Sequence, residues 1–221
     1  VEPPLKPKLR VLGLFEGIGT GRHVLRELGL DVEKYYSSEI DKDAIRVQLH
    51  NFGDQIIHLG DVREVTSAVL DDMGEIHLLI GGSPCADLSL VNFRRKNFDA
   101  SGSGVLFYEY ARILEYLLKK SRERGGTPLY WLFENTCKME KKSVEIIKRT
   151  LGCEPVTVCA SQFTPMERKR YFWGNLIGMS SAIKNPGPRE VPSLREVPPS
   201  YKTVVCDTLP TLTGNKEAQR S

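Results

Sequence analysis

The chain has 221 residues, of which 40% are hydrophobic and 27% charged, a composition typical of a globular protein with one substantial core. No apolar run approaches the ~20 residues that a membrane helix needs, and residues 1–6 lack the hydrophobic core of a signal peptide. A net charge of +3 permits nucleic-acid binding without requiring it. Because the sequence has no initiating Met, we expect it to be part of a longer protein.

The cysteines are odd in number and form no Cys-x-x-Cys pair: Cys85, Cys137, Cys153, Cys159 and Cys206. This pattern argues against a structural zinc site and against a disulfide scaffold. It fits a reducing compartment, so a cysteine here is of interest as an individual thiol.

Strand and helix patterns alternate over the first two-thirds of the chain. They predict, in order, strand 10–15, helix 20–28, strand 35–38, helix 42–49, strand 55–59, helix 65–70, strand 76–80, helix 105–120, strand 129–133, helix 142–151 and strands 155–160 and 170–174. Such alternation predicts an α/β fold with a doubly wound, mainly parallel sheet. The last two strands are also compatible with a hairpin.

Two segments depart from this alternation. Residues 92–104 are polar and basic and contain glycine, so we expect a mobile loop. Beyond about Leu176 the pattern fails, and six of the 13 prolines lie between Pro186 and Pro210, which excludes long regular elements. We expect a linker at 1–8, one catalytic domain over 9–175 and an irregular tail over 176–221.

Polar or reactive residues follow five of the predicted strands. In open α/β sheets, ligands bind beyond the carboxyl ends of the strands, so these residues share one crevice. Any one acid there could instead cap the next helix, but five strand ends of this kind together favour a functional site. The residues are Glu16 with Gly17, Glu39, Asp61, Pro84 with Cys85, and Glu134 with Asn135.

The glycine-rich turn at 15–21 differs from the Gly-x-Gly-x-x-Gly dinucleotide fingerprint, and Glu16 would repel a pyrophosphate. An acidic residue here suits a cationic or zwitterionic cofactor. Glu39 is placed to take ribose hydroxyls, and Asp61 could accept from an adenine amine. Together these features predict S-adenosylmethionine, with a nicotinamide cofactor as the weaker alternative.

Cys85 and Glu134 carry the predicted chemistry. A free thiol has a pKa of ~8.5 and needs help to become a nucleophile. A buried structural cysteine is the usual alternative, but the Gly-Gly-Ser-Pro context would hold Cys85 at the rim of the crevice. Glu134 follows Trp-Leu-Phe, so burial should raise its pKa and make it a proton donor. The run Arg168-Lys169-Arg170 precedes an apolar strand, so at least one of its two arginines should point back to the rim, where it could hold a carboxylate or phosphate.

These residues resemble the DNA cytosine-5 methyltransferases, most closely the animal de novo methyltransferase family. The similarity runs from Val11 to about Thr213, and the motifs at 15–21, 81–89, 131–135 and 168–175 carry it. The resemblance implies a seven-stranded, Rossmann-like, S-adenosylmethionine-dependent methyltransferase fold. The sequence departs from the family at Gly19, Ala86 and Thr136, where Ala, Asn and Val are common.

The resemblance also implies a role for each cofactor-binding residue. The methionine part of S-adenosylmethionine would be lined by Glu16, Gly17, Ile18, Gly19 and Thr20. The ribose would bind Glu39, and the adenine would bind Asp61, Val62 and Arg63.

The resemblance implies four catalytic residues. Cys85 would attack carbon 6 of a cytosine flipped out of double-stranded DNA, and Glu134 would hold and protonate the ring at N3. Arg168 and Arg170 would orient the base. Covalent addition makes carbon 5 reactive towards the methyl group, and loss of the carbon 5 proton then expels the thiolate.

Further expectations concern partners and extent. The loop 92–104, with Arg94, Arg95 and Lys96, would meet the DNA, and Phe107 and Tyr108 would lie in an interface with a second copy or a related methyltransferase-like subunit. The location would be nuclear, with no membrane. The chain ends at Ser221, so 176–221 would be the start of a truncated target-recognition region. The alternatives are a catalytically silent regulatory subunit, an RNA cytosine methyltransferase and an NAD-dependent oxidoreductase.

Overall fold

The computed structural model describes residues 8–85, 88–90, 97–98, 102–164, 166–179, 181 and 209–210. Several predictions concern residues outside this set. They are the linker at 1–7, Ala86, most of the loop 92–104 with its basic residues, and most of the tail beyond 181.

Within the described part of the chain, seven strands form the main sheet. They are β1 (Leu9–Leu14), β2 (Val32–Ser38), β3 (Ile56–His58), β4 (Leu78–Gly81), β5 (Tyr130–Thr136), β6 (Val156–Cys159) and β8 (Lys169–Gly174). A separate two-stranded parallel pair joins β7 (Met166–Glu167) to β9 (Leu209–Pro210). Five helices pack on the main sheet or connect its strands: α1 (Thr20–Glu27), α2 (Lys42–Phe52), α3 (Ser67–Met73), α4 (Leu106–Arg124) and α5 (Lys141–Leu151).

The strand order of the main sheet is β3-β2-β1-β4-β5-β8-β6. The first five of these strands are parallel, whereas β8 runs antiparallel between β5 and β6. The predicted doubly wound, mainly parallel sheet is therefore confirmed. Its last two predicted strands, β6 and β8, pair antiparallel, as the hairpin alternative predicts. The strand order reverses between β1 and β4, because the chain adds strands on one side of β1 as far as β3 and then on its other side from β4, and such sheets bind ligands at this point.

Side chains of β1 alternate between two apolar clusters, as the pleat of a strand requires. Leu12 and Leu14 belong to the larger cluster, which residues from α3, α4 and α5 complete on one face of the sheet. Val11 belongs to the smaller cluster with Leu25 of α1 and Phe52 of α2. Burial on both faces explains why the parallel strands have continuous apolar sequences.

The expectation that Phe107 lies in a subunit interface is corrected by its burial. Phe107 is 0% exposed and packs on Phe98 and Phe133, with ring centroids 5.9 and 5.3 Å away. Tyr108, the next residue of α4, is 42% exposed. The two residues follow one another on a helix and therefore point in different directions, so only Tyr108 offers a surface.

Among the described residues, no helix is both long enough and apolar enough to cross a membrane.

Strand β5 is longer than the sequence predicts, and the difference positions Glu134. The pairing of β4 with β5 ends at Gly81 and Phe133. On its other side, β5 continues to pair with β8 through Glu134, Asn135 and Thr136. Glu134 thus lies within a strand, beside the point where β4 turns away.

Candidate active site

The turn after β1 has a backbone that only certain residues adopt readily. Gly17 and Gly19 have φ values of 59° and 86°, in the left-handed region that favours glycine. Phe15, with φ of 55°, adopts the same region without being glycine, which is a sign of local strain. A Cβ on Gly21 would lie 2.3 Å from Ile80 Cδ1, so α1 starts in close contact with the sheet.

Glu16 turns its carboxyl under this turn. Oε1 accepts hydrogen bonds from the Tyr35 hydroxyl at 2.7 Å and from the Gly21 amide at 3.0 Å. A Cβ on Gly13 would lie 2.1 Å from Oε2, so only glycine leaves room for the carboxyl. Burial raises the pKa of Glu16 to about 7. The carboxyl therefore shapes the turn from beneath, and its direct contact with a cofactor stays a prediction.

Glu39 and Gln48 hold the same turn from its other side. The Gly17 amide donates to Glu39 Oε2 at 2.7 Å, while the Ile40 and Asp41 amides donate to Oε1 at 2.8 Å. Gln48, which is 0% exposed, donates to the Gly17 carbonyl and accepts from the Ser37 hydroxyl. Gln48 is not among the predicted site residues, although a glutamine on the buried face of an amphipathic helix is itself a signal.

Asp61 follows β3 and is paired with Arg63. Its carboxylate accepts from the Arg63 backbone amide at 2.9 Å and from the guanidinium Nε at 3.0 Å. The guanidinium therefore lowers the pKa of Asp61, which stays an anionic acceptor. The Val62 side chain is buried, so Val62 can offer a ligand only its backbone.

Cys85 is exposed at the end of a turn that two anchors fix. Asn135 on β5 donates from Nδ2 to the Ser83 carbonyl at 3.1 Å and lies within 3.3 Å of the Ser83 hydroxyl. The Cys85 carbonyl accepts from the amides of Leu88 and Ser89 at 3.0 and 2.8 Å. Asn135 was predicted at the rim, and its contacts show a further role, which is to attach the Cys85 turn to the neighbouring strand.

Glu134 pairs with Arg170 across the β5–β8 ladder. Arg170 Nε lies 2.8 Å from Glu134 Oε1, and a Cβ on Gly82 would lie 2.9 Å from Oε2. Burial raises the pKa of Glu134, while the charges of Arg170 and Arg168 oppose the rise. The predicted raised pKa and the predicted arginine at the rim are both confirmed. Arg168 itself is exposed.

The strand register brings these groups to one edge of the sheet. Ser38, Leu14, Gly81 and Phe133 pair in one row across β2, β1, β4 and β5. The residues that follow these four along the chain are, in the same order, Glu39, Phe15, Gly82 and Glu134. At ~4.8 Å between strands, the row spans roughly 14 Å, so the β1–β3 ends and the β4–β8 ends form two halves of one crevice. In the described part of the chain, no three His, Cys, Asp or Glu side chains cluster in a way that could hold a metal ion.

The crevice fits a nucleoside cofactor without phosphates. Glu39 and Asp61 lie after β2 and β3, and their carboxylates are acceptors of the kind that could hold a ribose and a base amine. The glycine turn lets the backbone approach a ligand closely, and Glu16 and Glu39 would oppose a pyrophosphate there.

Comparison with known proteins gives a family match. The family model for C-5 cytosine-specific DNA methylases matches residues 9–152, which include both halves of the crevice but not Arg168 or Arg170. The orphan methyltransferase M.Rho11sI of Bacillus phage rho11s is 38% identical over 130 residues, which cover 58% of this chain and 23% of that protein. The DNA (cytosine-5)-methyltransferase DRM1 of Arabidopsis thaliana is 35% identical over 130 residues, or 54% of this chain and 21% of that protein. The chain thus spans about a quarter or less of the length of these relatives.

Proposed function

Because this chain belongs to the C-5 cytosine-specific DNA methylase family, we propose that it methylates carbon 5 of cytosine in DNA through a covalent adduct of Cys85. The observation that carries the proposal is an exposed cysteine in an anchored turn, at the same sheet edge as the Glu134–Arg170 pair. S-adenosylmethionine, when bound, supplies an electrophilic methyl group. Glu39 and Asp61 would hold its ribose and adenine.

The protein's own residues divide one difficult step into easier ones. The Cys85 thiolate adds to carbon 6 of the flipped cytosine, and Glu134 gives a proton to N3 as negative charge develops on the ring. Carbon 5 then gains the methyl group, for which bound S-adenosylmethionine would be the donor and its thioether the leaving group. Loss of the carbon 5 proton to water, with return of the N3 proton to Glu134, re-forms the double bond and expels the thiolate. Arg170 fixes the Glu134 carboxyl for this transfer, and unstacking the base costs a few kcal/mol.

The finer assignments rest on the family resemblance and on surface exposure. The similarity to the animal de novo methyltransferases favours a de novo activity on double-stranded DNA, and such a substrate favours a nuclear location. An interface with a second copy or a related subunit would involve Tyr108, whose ring is exposed. The domain limits at 9–175 and 176–221 follow from the same resemblance.

Replacing Cys85 with Ala tests the proposal. In the full-length protein, Cys85→Ala should abolish methyl transfer and also covalent trapping on a duplex that carries 5-fluorocytosine, because no thiolate remains to form the adduct. Cys153→Ala is the matched control, since Cys153 packs beside the core away from the crevice. Trapping that survives in Cys85→Ala would refute the mechanism. A wild-type protein that binds S-adenosylmethionine but methylates only with a partner would favour a regulatory subunit.

A further inference from the structure

Helix α1 begins without an ordinary cap. Its N-cap residue is Gly19, which has no side chain to accept from the first amides, and its first turn contains no acidic residue. The Glu16 carboxyl takes this place from upstream, since it accepts from the Gly21 amide at 3.0 Å. A negative group at this position also complements the positive end of the helix dipole.

Tyr35 fixes the orientation of that carboxyl. It is 0% exposed in β2, and its hydroxyl donates to Glu16 Oε1 at 2.7 Å. Gly13 and Gly21 leave room for the pair, because a Cβ on Gly21 would lie 2.5 Å from the hydroxyl and one on Gly13 would clash with the carboxyl. Among the described residues, Tyr35 from β2 and Glu39 after β2 are the titratable groups that act on Glu16, while Arg22 from α1 donates its backbone amide to Glu16 and its charge acts on Tyr35.

We propose that Tyr35 and Glu16 form a buried positioning pair that sets the cofactor turn, and that the pair works with the Glu16 carboxyl deprotonated. A carboxylate can accept from Tyr35 and from the Gly21 amide together. Both donors reach Oε1, so protonation of the carboxyl removes the negative charge that strengthens both hydrogen bonds, and the turn loosens. The inference rests on the proposed function, in which this turn holds S-adenosylmethionine.

The protonation states are compatible with such a role near neutral pH. Burial raises the pKa of Glu16 to about 7, and the hydrogen bond from Tyr35 acts in the opposite direction. Burial and the neighbouring carboxyl keep the pKa of Tyr35 well above its ordinary value, so Tyr35 remains a donor throughout. Cofactor affinity should therefore increase as pH rises through about 7.

The test measures S-adenosylmethionine binding by calorimetry in the full-length protein from about pH 6 to about pH 8. Tyr35→Phe should weaken binding about tenfold at neutral pH and should move the midpoint of the pH dependence upward, because Glu16 loses a donor that favours its charged form. Glu16→Gln should weaken binding and remove this pH dependence. Protonation of S-adenosylmethionine itself affects all three proteins equally, so it cancels in the ratios of their affinities.

Tyr110→Phe is the matched control. Its hydroxyl is also buried, yet within the described residues it has no hydrogen-bond partner, so binding should stay within about twofold of wild type. The proposal would be overturned if Tyr35→Phe bound S-adenosylmethionine with wild-type affinity. It would also be overturned if the ratio of wild-type to Glu16→Gln affinity did not vary with pH. If Tyr35→Phe does not fold, the Glu16→Gln comparison decides alone. A wild-type protein that binds no S-adenosylmethionine at any pH would instead refute the proposed function.

Discussion

The ion pair of Glu134 with Arg170 sets how readily the Glu134 carboxyl holds a proton. Burial favours the neutral carboxyl and raises its pKa, and the two arginines limit that rise. A group that protonates a base at neutral pH works best with a pKa near the working pH, and burial opposed by the arginine charges sets that pKa for Glu134.

Removing the Arg170 charge should weaken the effect that opposes burial at Glu134. In Arg170→Gln, the pKa of Glu134 should rise further, so the limb of the pH–rate profile that reports Glu134 should shift to higher pH, with a rate loss of about tenfold or more. Single-turnover methylation by the full-length protein across the pH range measures both effects. Lys169→Gln removes a neighbouring positive charge from the other face of β8 and should leave the limb in place. An unshifted limb in Arg170→Gln would contradict the assignment.

At the scale of elements, the sequence predicted the strands and helices well and the site contacts poorly. Apolar runs and glycine caps located each element of the main sheet to within a few residues, because burial on two faces leaves a strong pattern. The end of β5 was misplaced at 133, since polar Glu134, Asn135 and Thr136 give no strand signal of their own. Their pairing with β8 is a long-range contact that the local sequence does not contain.

The attachment of the Cys85 turn to β5 gives an element-scale prediction. Asn135→Ala should leave the Ser83 carbonyl without its donor in a buried position, at a cost of about 1–3 kcal/mol in the free energy of unfolding. It should also lower the methyl-transfer rate while leaving S-adenosylmethionine affinity unchanged, because the cofactor half of the crevice lies beyond β4. Urea unfolding, calorimetry and methylation assays measure the three quantities. The exposed Asn51→Ala is the control, and an equal loss of cofactor affinity in Asn135→Ala would argue against separate halves.

Considered as a whole, the molecule divides its polar interior between the two halves of the crevice. The Glu16–Tyr35 and Gln48–Ser37 contacts lie beneath the cofactor half, and the Asn135–Ser83 contact lies beneath the half with Cys85. The sequence indicated the positions of the rim residues because each follows a strand. It did not indicate these supporting contacts, whose partners come from separate elements and meet only when the sheet forms.

Half-buried Glu16 should also make the stability of the whole fold depend on pH. Its pKa is raised from 4.5 to about 7, so the folded state binds a proton that the unfolded state releases between these values. The stabilisation from that proton is complete below about pH 4.5 and is lost as pH rises through about 7, an effect of about 3 kcal/mol. Glu134, whose pKa is also raised, acts in the same direction.

The comparison that isolates this effect is wild type against Glu16→Gln. The free energy of unfolding of wild type, relative to that of Glu16→Gln, should fall by about 3 kcal/mol between about pH 4.5 and about pH 8, because the glutamine cannot ionise. Urea unfolding at several pH values measures the difference. Glu27→Gln, at an exposed carboxylate on α1, should show almost none of it. A pH-independent difference for Glu16→Gln would mean that the pKa of Glu16 is the same in the folded and unfolded states, and the pH dependence of cofactor binding near pH 7 would then have to come from another group.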